Sequence, residues 1–319
     1  MGTPSRVIRT VTLNPALDEA ISIAHVELGD VNRCALDALD PGGKGINASR
    51  VIKRLGRETY ALGFAAGVSG TLLRARLDEE GVPSELIEVP GFTRINVMLF
   101  EREIPRRTRL YLPGPAVDAD HLALLRSVFE KLEPGPVAVL GGSLPPGLNV
   151  DTYRELCGWL QARGTGAIID SSGEPLRAAL AAKPLLIKPD IEEAQELLNC
   201  ELRDDAAVLR AAEALRSQGA QNVVISCGAQ GAIAVGPGGA WKALPPRIAA
   251  RSTVGSGDSM VAGLAIAFAE NLGLSEGLRL GSAAGAATAL LAGTHLAEPA
   301  DIERLLPQVE IRSLALEAV

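Results

Sequence analysis

The chain has 319 residues, 47% of them hydrophobic, with 38 acidic against 31 basic side chains and a formal net charge of −7. That much apolar material can bury a large core, which excludes intrinsic disorder, and the length points to one large domain with an appendage. No run of basic residues accompanies the charge, so the electrostatic footprint of a nucleic-acid partner is missing and small ligands are the expected partners.

In chain order, residues 1–9 are short and polar ahead of the first strand and lack the apolar core of a secretory signal. Residues 7–13 read as a buried strand. The region 20–40 has strand-like patches with polar flanks and no crossover helix directly after it. Pro41-Gly42-Gly43-Lys44-Gly45 is a glycine-rich loop without the Ser or Thr that a P-loop needs after its lysine. Ile46-Asn47-Ala48-Ser49-Arg50-Val51 continues it as a helix, setting polar groups beside bare amides, a surface that suits a hydroxyl-rich sugar or serves only as a turn. Residues 93–111 form a second strand-like excursion. With 20–40 it predicts a small separate β-sheet covering a site.

Further on, residues 138–141, 167–170, 185–187 and 223–226 read as buried strands. They alternate with amphipathic helices at 122–132, 151–163, 191–198 and 205–218. That alternation predicts a doubly wound α/β fold with a parallel sheet. Two apolar segments, 261–269 and 283–297, read as buried helices and not membrane spans: the first is too short and the second too rich in Ala, Gly and Thr. Cys34, Cys157, Cys200 and Cys227 are scattered, with neither a C-x-x-C pair nor a His at ligand spacing, which argues against a zinc site or a disulfide framework. A reducing, cytoplasmic location is expected.

The segment Ser252-Thr253-Val254-Gly255-Ser256-Gly257-Asp258 precedes an apolar helix. N–H groups at a helix opening have no intrahelical partner, and the dipole adds positive potential, so the opening can hold a phosphate. An Asp there can take a proton from a hydroxyl that attacks a phosphoryl group. It can equally be a plain helix cap. A dinucleotide fingerprint is excluded, because Gly255-x-Gly257 lacks the third glycine and lies late in the chain; no P-loop occurs. A nicotinamide-dependent oxidoreductase therefore lacks its motif.

With these blocks in hand, the chain resembles the ribokinase-like sugar kinases, in particular their PfkB branch of phosphofructokinases and tagatose 6-phosphate kinases. The resemblance runs nearly end to end. It rests on Thr12-Leu13-Asn14-Pro15-Ala16-Leu17-Asp18, the 41–47 loop, Thr93-Arg94-Ile95-Asn96, Gly142-Ser143-Leu144-Pro145-Pro146-Gly147, Asp170-Ser171-Ser172-Gly173-Glu174, Ile187-Lys188-Pro189 and residues 252–260. It implies a Rossmann-type αβα sandwich, read as a single domain over residues 1–319, with a β-sheet lid at about 20–40 and 93–111 that also joins a homodimer.

The same resemblance implies that Asp18, Gly42, Gly43, Asn47 and Ser143 face sugar hydroxyls. Arg33 and Arg94 would bind the phosphate already on a ketohexose, with Lys44 adding charge. ATP would lie near Lys188, Asp190, Glu193, Ser226, Gly228 and Gly231, and Gly255, Ser256 and Gly257 would form the anion hole beside the base Asp258. Magnesium is implied through water anchored on Glu193, and potassium as a further ion. The chain departs from the family at Asp190-Ile191-Glu192-Glu193, where Asn-x-x-Glu is usual. That departure bears on magnesium and nucleotide binding.

Fructose 6-phosphate is the expected acceptor. Gly173-Glu174 and Gly293-Thr294 are similar to 6-phosphofructokinases, while Val31-Asn32 and Thr93-Arg94-Ile95-Asn96-Val97 are also similar to fructose 1-phosphate kinases. Tagatose 6-phosphate is a further alternative. A catalytically inactive sugar-phosphate sensor is the rival from another class, and the intact Asp258 argues against it.

Overall fold

Hydrophobic alternation sets the architecture. In the strand Val137–Gly141, Ala138 and Leu140 enter one core while Val137 and Val139 enter another, as a strand covered on both faces requires. The computed structural model describes residues 6–104 and 106–315. Most of the sequence-predicted polar N-terminus, residues 1–5, lies outside that range, as does Pro105 in the second excursion.

The elements run β1 (Ile8–Thr12), β2 (Ala16–Ile23), β3 (Ala35–Gly42), α1 (Lys44–Arg54), β4 (Thr59–Ala65), α2 (Gly67–Glu79), β5 (Ser84–Glu88), β6 (Arg94–Glu101), β7 (Arg106–Leu110) and α3 (Ala119–Lys131). Then come β8 (Val137–Gly141), α4 (Thr152–Ala162), β9 (Gly166–Asp170), α5 (Gly173–Ala179), β10 (Leu186–Ile187), α6 (Ile191–Leu198), α7 (Asp205–Ser217) and β11 (Asn222–Ser226). The chain closes with β12 (Ala232–Gly236), β13 (Gly239–Leu244), α8 (Ser256–Ala269), α9 (Leu274–Ala289), α10 (Pro299–Leu305) and β14 (Glu310–Leu314).

Ten strands form the main sheet in the order β14-β13-β12-β11-β10-β9-β8-β1-β4-β5. From β5 to β11 every neighbour is parallel, and β12, β13 and β14 extend it antiparallel. Helices α3 to α7 cover one face; α1, α8, α9 and α10 cover the other. This is the αβα sandwich that the sequence predicts. Strand order reverses at β1, between β8 and β4, which opens a crevice at the carboxyl ends where ligands bind in such sheets.

The second sheet has the order β3-β2-β6-β7, with β2 and β6 parallel and both outer pairs antiparallel. Two sequence expectations need correction. Strand β3 does run straight into a helix, because Gly43 caps α1 directly after it. The apolar stretch 283–297 is helical only through Ala289; Leu291 N–H then turns back to Thr288 and the chain leaves as a loop. The helical part, residues 283–289, is buried where α9 packs closely against α8. A Cβ on Gly263 would stand 2.5 Å from Gly281 N, so only glycine permits the contact. Among the described residues, no helix is long and apolar enough to cross a membrane.

Candidate active site

The loop ahead of α8 delivers Asp258 to the crevice. Gly255, at φ 74°, takes the left-handed turn that starts the helix, which puts Asp258 third in its first turn and not at the cap. Ser256 N–H, expected in the anion hole, donates to the Thr253 carbonyl at 3.3 Å, whereas among the described residues no acceptor takes the N–H of Gly257 or Asp258. The Lys188 ammonium stands beside them, 3.4 Å from where a Cβ on Gly257 would lie. Unpaired amides, a helix dipole and a lysine thus converge beside one carboxylate.

Asp258 Oδ2 accepts a hydrogen bond from Asn47 Nδ2 at 2.8 Å. Its pKa is pushed up to about 6, first by burial and then by the charge of Asp170, against the pull of Lys44, the Asn47 hydrogen bond and Lys188. The remaining oxygen, Oδ1, is the one left to act on a ligand.

Behind Asp258, buried Asp170 ends β9 and gathers two lysines: Lys44 Nζ lies 3.0 Å and Lys188 Nζ 3.5 Å from its Oδ1. Burial alone would raise the Asp170 pKa, but Lys188 and Lys44 outweigh it and hold it low. Lys44 also lies 3.5 Å from Glu193 Oε1. Burial works against its charge, yet Asp170, Glu193 and Asp258 together raise its pKa above the usual lysine range.

On the side of the glycine loop, buried Asp18 accepts from Asn96 Nδ2 at 2.8 Å, its neighbour across the β2–β6 register. Gly42 faces it so closely that a Cβ would lie 2.3 Å from Asp18 Oδ2. Burial raises the Asp18 pKa, opposed by Asn96, Arg94 and Arg50. The Arg94 guanidinium donates to the carbonyls of Asn14 (2.8 Å), Pro15 and Leu112 (both 3.4 Å). Asn14 Nδ2 donates to exposed Ser143 Oγ at 3.1 Å, while Asn14 Oδ1 and Asn96 Oδ1 are buried without a partner among the described residues. Arg33 is apart: it lies on the exposed loop between β2 and β3 and makes no hydrogen bond or ion pair with any described residue.

The other group lines the ends of β10 and β11. Asp190 caps α6 in a capping box, accepting Glu193 N–H at 2.8 Å while Glu193 Oε2 accepts Asp190 N–H at 2.9 Å. That accounts for an Asp where the family has Asn, since both cap equally well. Burial and Asp170 raise the Glu193 pKa against Lys44. Ser226 bridges to Asp190, and the turn after it, with Gly228 at φ 56° and Gly231 at φ 95°, closes through Cys227 N–H to the Gly231 carbonyl.

Four contributors, Asp170, Asn96, Arg107 and Arg109, carry no role of their own in the sequence reading, although Asp170 and Asn96 stand in its motif blocks. Asp170 sits at the carboxyl end of a predicted parallel strand, a position that marks ligand sites in such sheets and was the available signal. Asn96 needed the β2–β6 register to find it. From the outer strand β7, Arg109 Nη2 donates to Thr253 Oγ1 at 3.2 Å and Arg107 to the Arg251 carbonyl, so the second sheet touches the loop that opens α8.

The pattern of the pfkB family carbohydrate kinases matches residues 11–301. The chain belongs to that family. It is 37% identical over 300 residues to the ATP-dependent 6-phosphofructokinase isozyme 2 of Escherichia coli, covering 93% of this chain and 97% of that protein. It is 34% identical over 309 residues to the 1-phosphofructokinase of Borreliella burgdorferi, covering 97% and 99%. Among solved structures, phosphofructokinase-2 from Escherichia coli in complex with potassium superposes with a TM-score of 0.90 at 36% identity, covering 95% of this chain and 98% of that one. This pfkB kinase is accordingly a carbohydrate phosphotransferase with the ribokinase-like fold.

Proposed function

We propose that the protein is an ATP-dependent phosphofructokinase that transfers the γ-phosphoryl group to fructose 6-phosphate, giving fructose 1,6-bisphosphate. One observation carries the reading: the Asp258 carboxylate, the unpaired N–H groups of Gly257 and Asp258, and Lys188 meet at a single helix mouth.

In this mechanism Asp258 Oδ1 takes the proton of the sugar hydroxyl as its oxygen bonds to the γ-phosphorus. The bond to the β-phosphate oxygen breaks and ADP leaves. Charge spreading over the transferring oxygens meets the N–H groups at Gly257 and Asp258 and the Lys188 ammonium. Lys44, held by Asp170 and Glu193, adds further positive charge.

Glu193 is a hard oxygen donor, and among the described residues no group of three His, Cys, Asp or Glu gathers as a ligand cage. That donor set fits a hydrated Mg2+ held mainly by the nucleotide phosphates, with Glu193 anchoring a water; the ion would neutralise phosphate charge. Lys188, Asp190, Ser226, Gly228 and Gly231 are assigned to ATP, and Asp18, Gly42, Gly43, Asn47 and Ser143 to the sugar.

Arg94 and Arg33 are assigned to the phosphate that the sugar already carries, because a guanidinium fork pairs with phosphate oxygens. The second sheet is assigned as lid and homodimer contact, on the strength of Leu28, Val31 and Leu36, which are 95%, 82% and 62% exposed on or beside β3. Static light scattering of the purified chain tests the dimer. The protein is taken to work in the cytoplasm.

The relative named 1-phosphofructokinase, matched over nearly its whole length, favours fructose 1-phosphate as a second reading. A coupled ADP-release assay with fructose 6-phosphate, fructose 1-phosphate, tagatose 6-phosphate and fructose, with and without potassium, separates them. The highest kcat/KM on fructose 6-phosphate upholds the first reading. A preference for fructose 1-phosphate installs the second, and no turnover of any acceptor rejects both in favour of a sensor.

A further inference from the structure

Lys44, Asn47 and Arg50 recur every three residues on α1 and so share one helix face. The first two reach the site. Arg50 lies beneath them, 2% exposed, and spends its fork on four partners. Nε and Nη2 donate to Glu80 Oε2 and Oε1 at 2.8 and 2.6 Å. Nη1 donates to the Pro41 carbonyl at 2.9 Å and to Asn47 Oδ1 at 3.3 Å.

An arginine side chain has only donors, so whatever faces it must accept. Asn47 therefore turns its oxygen to Arg50 and its nitrogen to Asp258, where Nδ2 donates at 2.8 Å. The two ends of an Asn amide have nearly the same shape, and packing alone does not decide which way round it lies.

We propose that Arg50 is a positioning residue for phosphoryl transfer: by holding Asn47 Oδ1 it locks the Asn47 amide so that a hydrogen-bond donor always faces Asp258. The proposal rests on Asp258 being the base. With the lock released, the amide rotates by half a turn in part of the molecules and presents its oxygen to the carboxylate. Two acceptors then face each other, which disfavours the ionised base and leaves its orientation loose. Because Pro41 belongs to β3 and Nη2 also lies 3.6 Å from Asp40 Oδ1, the same side chain ties the second sheet to this face of α1.

Other charges surround both ends of the relay. Asp40, Glu80, Asp18 and Arg54 face Arg50, Arg54 through the shared Glu80. Lys44, Asp170 and Lys188 face Asp258, with Glu193 behind Lys44. A change at residue 50 replaces none of these charged neighbours of Asp258, and none of them is bonded to Arg50; Asn47 is the link between the two. Glu80 supplies the structural control, since it pairs with Nε and Nη2 and leaves Nη1, the donor to Asn47, alone.

The test compares kcat and KM of the full chain, Arg50→Lys and Glu80→Gln from pH 5 to 9 on the preferred sugar phosphate. Arg50→Lys keeps the charge and loses the fork. It is expected to lower kcat at pH 8 about tenfold and to move the acidic limb upward by about half a pH unit or more, with the sugar KM nearly unchanged. Glu80→Gln is expected to lose thermal stability and keep the wild-type limb. An Arg50→Lys limb that coincides with wild type overturns the proposal, whatever its kcat; so does a Glu80→Gln limb displaced as far as that of Arg50→Lys.

Two further measurements do not depend on turnover. Carboxyl 13C titration of Asp258 must show the same upward displacement in Arg50→Lys, and an unmoved titration overturns the proposal. If Arg50→Lys fails to fold, the unaltered protein decides: a neutron or atomic-resolution structure with Asn47 Oδ1 toward Asp258 overturns it, and Nδ2 toward Asp258 upholds it. Kinase activity of the wild type, and its loss in Asp258→Asn, separately decide the reading on which the proposal rests.

Discussion

The Lys44 ammonium stands 3.0 Å from Asp170 Oδ1, joining the start of α1 to the end of β9 across 126 positions of sequence. Lys188 shares that oxygen at 3.5 Å. Asp170 thus holds two lysines at the site and is itself kept ionised by them.

Asp170→Asn should therefore act in two places. Removing one partner from a buried cluster leaves uncompensated charge and costs roughly 3 kcal/mol of stability near neutral pH, read by urea denaturation. The Asp170 pKa is depressed, so its contribution is present above the unfolded value and lost as pH falls; the deficit should shrink below about pH 4. At the same time Asp258 loses a negative neighbour that raises its pKa. The acidic limb of activity should move to lower pH, and a limb that rises would contradict the arrangement.

As the proposed base, Asp258 has to be ionised to accept a proton, and its pKa is pushed up to about 6. Measured kcat/KM should fall tenfold per pH unit below about pH 6, as for a single essential base. A limb near pH 4, the value of an ordinary carboxylate, would mean that another group limits the reaction.

Asp258→Asn should lower kcat by about 10³ or more while sugar binding, followed by calorimetry, survives. The effect on stability has the opposite sign to the effect on activity. A carboxylate whose folded pKa is raised binds its proton more tightly in the folded state, so its ionisation destabilises the fold increasingly as pH rises from the unfolded value of about 4 and fully above about 6. The Asn variant should melt a few degrees higher than wild type at pH 8, and the gain should vanish as pH falls toward 4. Equal melting temperatures at pH 8 would mean that Asp258 is not desolvated.

How far the sequence anticipates this site depends on the range of the contacts. Asp258 and the Gly255 turn were legible because a helix opening is a local event: glycine, serine and an acid in the first turn suffice to announce it. The parallel strands were legible through their apolar runs. Asp170 was visible as a strand end, but its two lysines come from α1 and the end of β10, which only the folded sheet brings together. Asn96 and Arg50 are less legible still, since a strand register decides one and a tertiary ion pair with Glu80 the other. The end of α9 eludes the sequence for a different reason: residues 290–297 stay largely apolar after the helix stops, and apolar content alone does not distinguish a half-buried loop from a buried helix.

Arg94 donates to three backbone carbonyls and lies near enough to Asp18 to be drawn by its charge, while burial lowers its pKa. Its fork is thus oriented before any ligand arrives. Arg94→Ala should raise the KM of the sugar phosphate by about tenfold or more and leave that of ATP within a small factor. Unphosphorylated fructose, lacking the partner group, should show no such change. An effect confined to ATP would show that the sugar and nucleotide ends have been assigned the wrong way round.

Gly42→Ala isolates the role of Asp18. Gly42 does not have a positive φ, so alanine meets no backbone strain there, and whatever the substitution does must come from its methyl group. That methyl would stand 2.3 Å from Asp18 Oδ2. Asp18 cannot simply swing aside, because it is buried and its other oxygen is held by Asn96. The carboxylate must leave its hydrogen bond or β3 must move away from β2, at a cost of about 1–3 kcal/mol. The sugar KM should rise with it, while the KM of ATP holds. Adding Asp18→Ala separates the two effects: with the carboxylate gone the methyl has room, so stability should return toward that of Asp18→Ala alone, whereas sugar binding should not. If the double variant regains sugar affinity, Asp18 does not bind the sugar and Gly42 acts through the backbone instead.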